Sequence, residues 1–209
     1  MKKIYLAGLV ALLGLASCGD SSNSDALSSQ LTNAEGIQEA ALSFGEGGAT
    51  DGNEYFTGLV AAVVEVDVKF GEIERLDQMD ASEDKIKAGI DSTLKKIEEG
   101  RAAIELYKDK SWPKRAEFHT LTVEWFATIE NIVKTNLTPL TAAMAKPAEE
   151  MTDAESDLYD AYLEALGAYL EVDNRWVEFQ FEYAAANNFE IEGTIDSDAI
   201  IDEELSQQE

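Results

Sequence analysis

The chain has 209 residues but only one cysteine, one histidine and three prolines. It carries 16 lysines and arginines against 42 aspartates and glutamates. Each shortage excludes something. With Cys18 as the sole cysteine, the folded part has no disulfide, no thiolate metal site and no cysteine nucleophile. Nothing staples the domain, so its stability must come from apolar burial. The scarcity of basic residues argues against nucleic acid, whose binding relies on Lys and Arg displacing counterions. It argues equally against a polybasic grip on anionic lipid. No apolar run reaches the length of a membrane-spanning helix, so none is expected.

The histidine shortage limits chemistry. Helical di-iron sites use Glu-x-x-His pairs. Glu117 lies two residues before His119 and Glu124 lies five after it, so that spacing fails. The zincin, haem-attachment, phosphate-loop, dinucleotide and Gly-x-Ser-x-Gly patterns are absent. Two paired carboxylates alone suffice for glycoside hydrolysis. A closed helical bundle offers little cleft for it, and the chain reads as a non-enzyme without cofactor or metal.

What is present begins at the N-terminus. Lys2 and Lys3 precede the apolar run Ile4 to Leu13, which leads into Leu15-Ala16-Ser17-Cys18. A short positive start, a hydrophobic stretch too short to span a bilayer, small residues and a cysteine predict a lipoprotein signal peptide over 1–17. Cleavage before Cys18 leaves 192 residues and removes two lysines, taking the net charge from −26 to −28. The lipid on Cys18 is then the anchor, because acyl chains hold where an acidic surface does not.

Residues 18–52 are rich in Ser, Gly, Asn, Asp and Thr and read as a flexible tether. One short helix is possible over Ala34 to Phe44, ended by Gly45-Glu46-Gly47-Gly48. Four long helical patterns follow over 53–191. The first, Asn53 to Met79, has Phe56, Leu59, Val63, Val66, Phe70 and Ile73 at steps of three and four. The second starts at the cap Ser82 and reaches Tyr107. The third opens at Trp112-Pro113 with proline in the first turn, and Pro139 should kink or end it. Thr152-Asp153-Ala154-Glu155 fits a capping box that opens the fourth, which runs to Asn187-Asn188. Residues 192–209 carry seven acids and no base, and read as an acidic, frayed tail. Calcium at Asp196–Glu204 is the weaker reading, for want of a turn glycine. The expected fold is all-α: an up-down-up-down four-helix bundle between tether and tail.

Charge is uneven along this plan. Residues 81–115 carry 7 acids and 9 bases, whereas residues 150–209 carry 18 acids and one base. On the fourth helix Asp157, Asp160, Glu164, Glu171, Glu178 and Glu182 share one stripe, read as a solvated face or a surface for cations. The same helix has two apolar stripes where a bundle helix needs one. Tyr169, Trp176 and Tyr183, on the second stripe, are candidates for an aromatic contact face. The alternative is that a neighbouring helix, or segment 34–44, covers them. Asp67, Arg101 and Asp173 fall in or beside the apolar arcs of their helices. They form a candidate core polar network, serving either helix register or a small cationic ligand.

The lipobox, the long helices and the close Tyr183-Ala-Ala-Ala-Asn-Asn-Phe-Glu-Ile191 together resemble the uncharacterised helical-bundle surface lipoproteins of Bacteroidetes-type bacteria. The resemblance implies a signal peptide, lipidation and a bundle, and carries over no catalytic residue. Cys18-Gly19-Asp20 resembles the signals of that group and implies the outer membrane, with the leaflet open. The expectation is a membrane-anchored envelope module that meets a protein partner. The alternative is a carrier for a small ligand or cation. No nucleic acid partner is expected.

Overall fold

A computed structural model gives the fold, and it describes residues 31, 33–79, 81–146, 150, 152–191 and 197–206. Cys18 and the signal segment lie outside the described residues. The described residues are helical and contain no strand. In chain order the helices are α1 (Ala34–Gly45), α2 (Gly52–Gln78), α3 (Glu83–Glu105), α4 (Arg115–Asn131), α5 (Thr138–Met144), α6 (Asp153–Ala186) and α7 (Ser197–Ser206).

Local chemistry sets most boundaries. Asn33 caps α1 by accepting from the Gly36 N–H at 2.9 Å. The Asp51 carboxylate accepts from the N–H groups of Asn53 and Glu54 and starts α2. Ser82 caps α3, and the Thr152–Glu155 capping box opens α6 as the sequence predicts. At the far end of α6, Asn188 turns left-handed (φ 61°) and the Phe189 N–H reaches back to the Ala184 carbonyl at 3.2 Å. That closes the helix where Asn187-Asn188 suggests. The start of α4 differs from expectation. Pro113 precedes the helix, and Lys114 sits left-handed (φ 56°) at the N-cap position.

Pro139 does not end the helical run, which is disturbed just before it. Between α4 and α5 the chain widens into a π-helical segment, Ile132–Leu137. The Thr138 N–H and its hydroxyl both bond to the Val133 carbonyl, five residues back. Pro139 then falls in the first turn of α5, where its missing N–H is harmless.

The long valine-rich helix α2 forms the axis of the molecule. Val60, Ala61, Ala62, Val63 and Val64 are buried in succession, which an amphipathic helix on a surface does not permit. Neighbours therefore enclose α2 on all sides. α3 packs along it, with Gly89 against Ile73. α1 packs at Gly58, where Phe44 lies so close that a Cβ would meet its ring at 2.5 Å. α7 packs at Gly71 through Ile201. Gly58 and Gly71 differ by a non-integral number of turns, so α1 and α7 occupy different sectors around α2. The remaining sector faces α6 and α4, which pack on each other. Phe56 stacks on Tyr183 and Phe118, and Phe70 meets Tyr169 edge-on, so aromatic rings fill that gap.

Two expectations need correction. Segment 34–52 is not tether: Ile37, Phe44 and Ala49 are buried, and Tyr107 donates to the Phe44 carbonyl and accepts from the Ala49 N–H. Nor are residues 197–206 frayed, for α7 is helical with Ile200 and Ile201 buried. Of the stretch Asp196–Glu204, residues 197–204 lie in this helix, and Asp196 lies outside the described residues. In both cases a few apolar side chains gain enough by burial to order a short polar segment.

Candidate functional site

The acids that stand out in the structure are inside. Asp67, Glu72 and Glu74 on α2 and Asp173 on α6 are all buried. Burying a carboxylate is costly unless donors surround it. Glu72 accepts from Lys69 Nζ at 2.8 Å, whereas Glu74, Asp67 and Asp173 accept from aromatic side chains. Tyr162 gives its hydroxyl proton to Glu74 Oε1 at 3.0 Å, and Tyr169 gives its own to Asp67 Oδ1 at 3.3 Å. Trp125 Nε1 donates to Asp173 Oδ1 at 2.9 Å. Trp176 Nε1 donates to the Thr122 hydroxyl at 2.9 Å, and Thr122 donates on to the Phe118 carbonyl.

The register is regular. Tyr162, Tyr169, Trp176 and Tyr183 recur at every seventh residue of α6. On the antiparallel α2, Glu74 and Asp67 recur at the same step. Tyr162 meets Glu74 and Tyr169 meets Asp67, and continuing the same step brings Trp176 to the level of Val60 and Tyr183 to that of Asn53. Val60 offers no acceptor, and Trp176 turns to Thr122 on α4 instead. At the last level neither the buried Tyr183 hydroxyl nor the Asn53 Oδ1 has a hydrogen-bond partner. Tyr183 is held there by rings, those of Tyr55, Phe56, Phe118 and Phe189.

Protonation follows from this placement. Burial pushes the Tyr169 phenol well above its ordinary range, and the adjoining charges of Asp67 and Asp173 push it further. The Tyr162 phenol is raised by burial and by Glu74. Burial likewise raises the Asp173 carboxyl, although the Trp125 and Tyr169 donors act against it. The phenols thus stay protonated and serve as donors. Shut away from solvent, this ladder holds α2, α4 and α6 in one register, since sliding by a turn sets carboxylates against ring faces.

Of the three residues of the sequence-derived network, the structure brings two together. Asp67 and Asp173 converge on Tyr169, but Arg101 does not join them. Its guanidinium pairs with Glu130 of α4 at the edge of the molecule, with 34% of the side chain exposed. A solvated pair there avoids the desolvation that a core guanidinium incurs. Tyr169, Trp176 and Tyr183 form no contact face: all three are buried. The neighbouring helix α4 covers their stripe, and the other stripe of α6 carries the exposed Leu163 and Phe181. Trp125, Tyr162 and Glu74 were missed. For Tyr162 and Glu74 the signal was the shared seven-residue step of rings on one helix and acids on the other, a series that Trp125 on α4 does not join.

His119 sits on the flank of α4 with Nε2 at 3.4 Å from Glu105. Burial lowers its pKa, with Glu105 pulling the other way. Among the described residues no cluster of three or more His, Cys, Asp or Glu side chains is arranged to hold a metal ion. No described helix is long and apolar enough to cross a membrane. The stripe Asp157, Asp160, Glu164, Glu171, Glu178 and Glu182 faces solvent, with Glu182 paired to Lys114. Among the described residues one groove of about 760 Å³ lies between α1 and α3, and another of about 730 Å³ lies between α1 and the start of α2.

No protein-family model, curated protein or solved structure matches the chain.

Proposed function

We propose that this protein is a lipid-anchored helical module of the bacterial outer envelope that binds a partner and carries out no chemistry of its own. The carrying observation is the position of the only cysteine. Cys18 follows Leu15-Ala16-Ser17 at the end of a short apolar run, ahead of the α1 cap at Asn33. The link over residues 19–32 spans at most about 50 Å when fully extended. The module accordingly works close to the bilayer. The anchor is the acyl lipid, for a chain of net charge −26 gains nothing from an anionic surface.

We further infer that α2, α3, the α4–α5 pair and α6 run up-down-up-down as a four-helix bundle, to which α1 and α7 are added. Support comes from the chain order, the packing of α2 on α3 and of α4 on α6, and the tyrosine–carboxylate pairs between α2 and α6. A binding role is favoured over catalysis because the aligned carboxylates are closed off and matched to aromatic donors. What remains outside is surface.

Replacing Cys18 by alanine tests the anchor. The variant should accumulate as unprocessed precursor and take up no labelled fatty acid. Processing at the same site, with the product still fractionating with lipid, would overturn the assignment.

A further inference from the structure

We propose that the groove between α1 and α3 docks a basic, amphipathic helical segment of a partner protein. The proposal deepens the reading of this chain as a binding module by naming the surface and the chemistry of its occupant.

The groove has an apolar base and an acidic wall. Buried Ala62 and Ala103 form its floor. Leu42 on α1 and Leu106 at the end of α3 line it while remaining 62% and 54% exposed. Soluble surfaces tolerate single exposed leucines, but two bordering one concavity mark a contact surface. Its volume, about 760 Å³, lies in the range of real binding clefts.

The charge is one-sided. Glu35, Glu39 and Glu46 border the groove from α1 and are exposed. Among the described residues none supplies a counter-ion to these three. Lys96 is the one cation among the lining residues, and it is already matched by Glu65 at 3.0 Å and Glu99 at 3.3 Å. A cationic partner therefore meets unneutralised carboxylates, and an anionic one meets repulsion.

The spacing selects a helix. Glu35, Glu39 and Leu42 step by four and three along the outer crest of α1, opposite the buried Ile37 and Phe44, and Glu46 follows at the C-cap; Glu35 and Glu39 also border the groove on the other side of α1. That stripe is about 16 Å long at 1.5 Å per residue. A helix of about three turns, with leucine-like anchors between lysines or arginines, covers both leucines while matching the acids. A polyamine would match the charge and leave Leu42 and Leu106 in water.

The test uses the full chain in nanodiscs of neutral phosphatidylcholine, with empty nanodiscs as reference. The probe is a fluorescent Leu/Lys peptide with leucines at helical spacing, read by anisotropy. A scrambled peptide of the same composition controls for charge. Leu42→Ser and Leu106→Ser remove apolar contact without altering charge. Glu39→Lys and Glu171→Lys make the same charge change inside the groove and far from it. All four positions are exposed, and a melting curve for each variant checks the fold. The expected result is saturable binding of the amphipathic peptide alone, weakened about tenfold by the two serine changes together. Glu39→Lys should weaken it several-fold more than Glu171→Lys. Equal binding of the scrambled peptide, equal effects of the two lysine changes, or indifference to the serine changes would overturn the proposal. So would spermidine binding that the leucine variants leave unchanged while the peptide fails to bind. Each of these negative outcomes leaves the Cys18 labelling result, and the anchor it tests, untouched.

Discussion

Gly58 and Gly167 are both interior helix glycines, and their surroundings set opposite expectations. A Cβ at Gly167 has nothing within 4 Å. Gly167→Ala should therefore stabilise the protein by about 0.5–1 kcal/mol, the ordinary gain in helix propensity. At Gly58 the added carbon meets Phe44 Cβ and Cδ2 at 2.5 Å. Phe44 cannot retreat, because it is buried and stacked on Tyr107 with 4.6 Å between ring centroids. Gly58→Ala should cost about 1–3 kcal/mol despite the better propensity. Urea denaturation of both variants checks the pair, and like signs would refute this account of the packing. Asp173 makes a second residue-scale prediction. Its folded pKa is raised, chiefly by burial, so its contribution favours the fold fully below the unfolded carboxylate pKa. That contribution is lost as pH rises through the folded value. Asp173→Asn keeps an acceptor for Trp125 and drops the buried charge. It should be more stable than the native chain at pH 7, with the advantage shrinking as pH falls into the acid range. Asp173→Ala, which orphans the Trp125 N–H, should instead lose about 1–3 kcal/mol. A difference between Asn variant and native chain that is flat from pH 4 to 8 counts against the buried charge.

At the scale of elements, α7 distinguishes a docked helix from a tail. Ile201 is fully buried, with its Cδ1 against the Gly71 notch. Ile201→Ala should cost about 2–4 kcal/mol in chemical denaturation, whereas in a frayed tail it would cost nothing. The sequence offers a short helix over Ala34 to Phe44 without showing that it docks, and it hides α7. Each contributes only two or so apolar anchors, Ile37 with Phe44 and Ile200 with Ile201, too few for a period to rise above the polar background. The long helices were legible for the converse reason: their stripes run through many turns, and Ser82, Thr152 and Asn188 punctuate them. Proline was harder. Pro139 announces a disturbance but not its form, because a π-turn bonded to Val133 absorbs the missing donor. Arg101 was misplaced because a helical wheel gives direction without a partner, and Glu130 on α4 captures the guanidinium before it enters the core. The candidate site was readable in kind, since Asp67 and Asp173 stand out in apolar arcs. Its donors are tyrosines and tryptophans, which at helical spacing are indistinguishable from ordinary core residues.

The whole molecule must hold together against its own charge. It carries −26, and on α6 the exposed acids from Asp157 to Glu182 have Arg175 as the single base within their helix. Such self-repulsion opposes the compact state. The counterweight is the enclosed α2 and the aromatic layer between it and α6, neither of which responds to ionic strength. Added salt should therefore stabilise this protein, since screening weakens repulsion at distances beyond about 10 Å at 0.1 M. The ion pairs Lys114–Glu182 and Arg175–Glu124 are solvent-exposed and contribute little that screening can remove. Melting temperature should climb by several degrees between about 10 mM and 0.5 M salt, roughly 2–4 °C for each kcal/mol in a chain of this size. Sodium, potassium and choline chlorides should act alike, because screening depends on ionic strength and not on the identity of a monovalent cation. A protein that carried a particular cation would behave otherwise. Micromolar calcium, iron or a polyamine would then raise the melting point at constant ionic strength, by preferring the folded state. An equal rise with all three chlorides, and none with micromolar ligand, assigns the acidity to solvation of the surface and leaves the α1–α3 groove as the place where it is used.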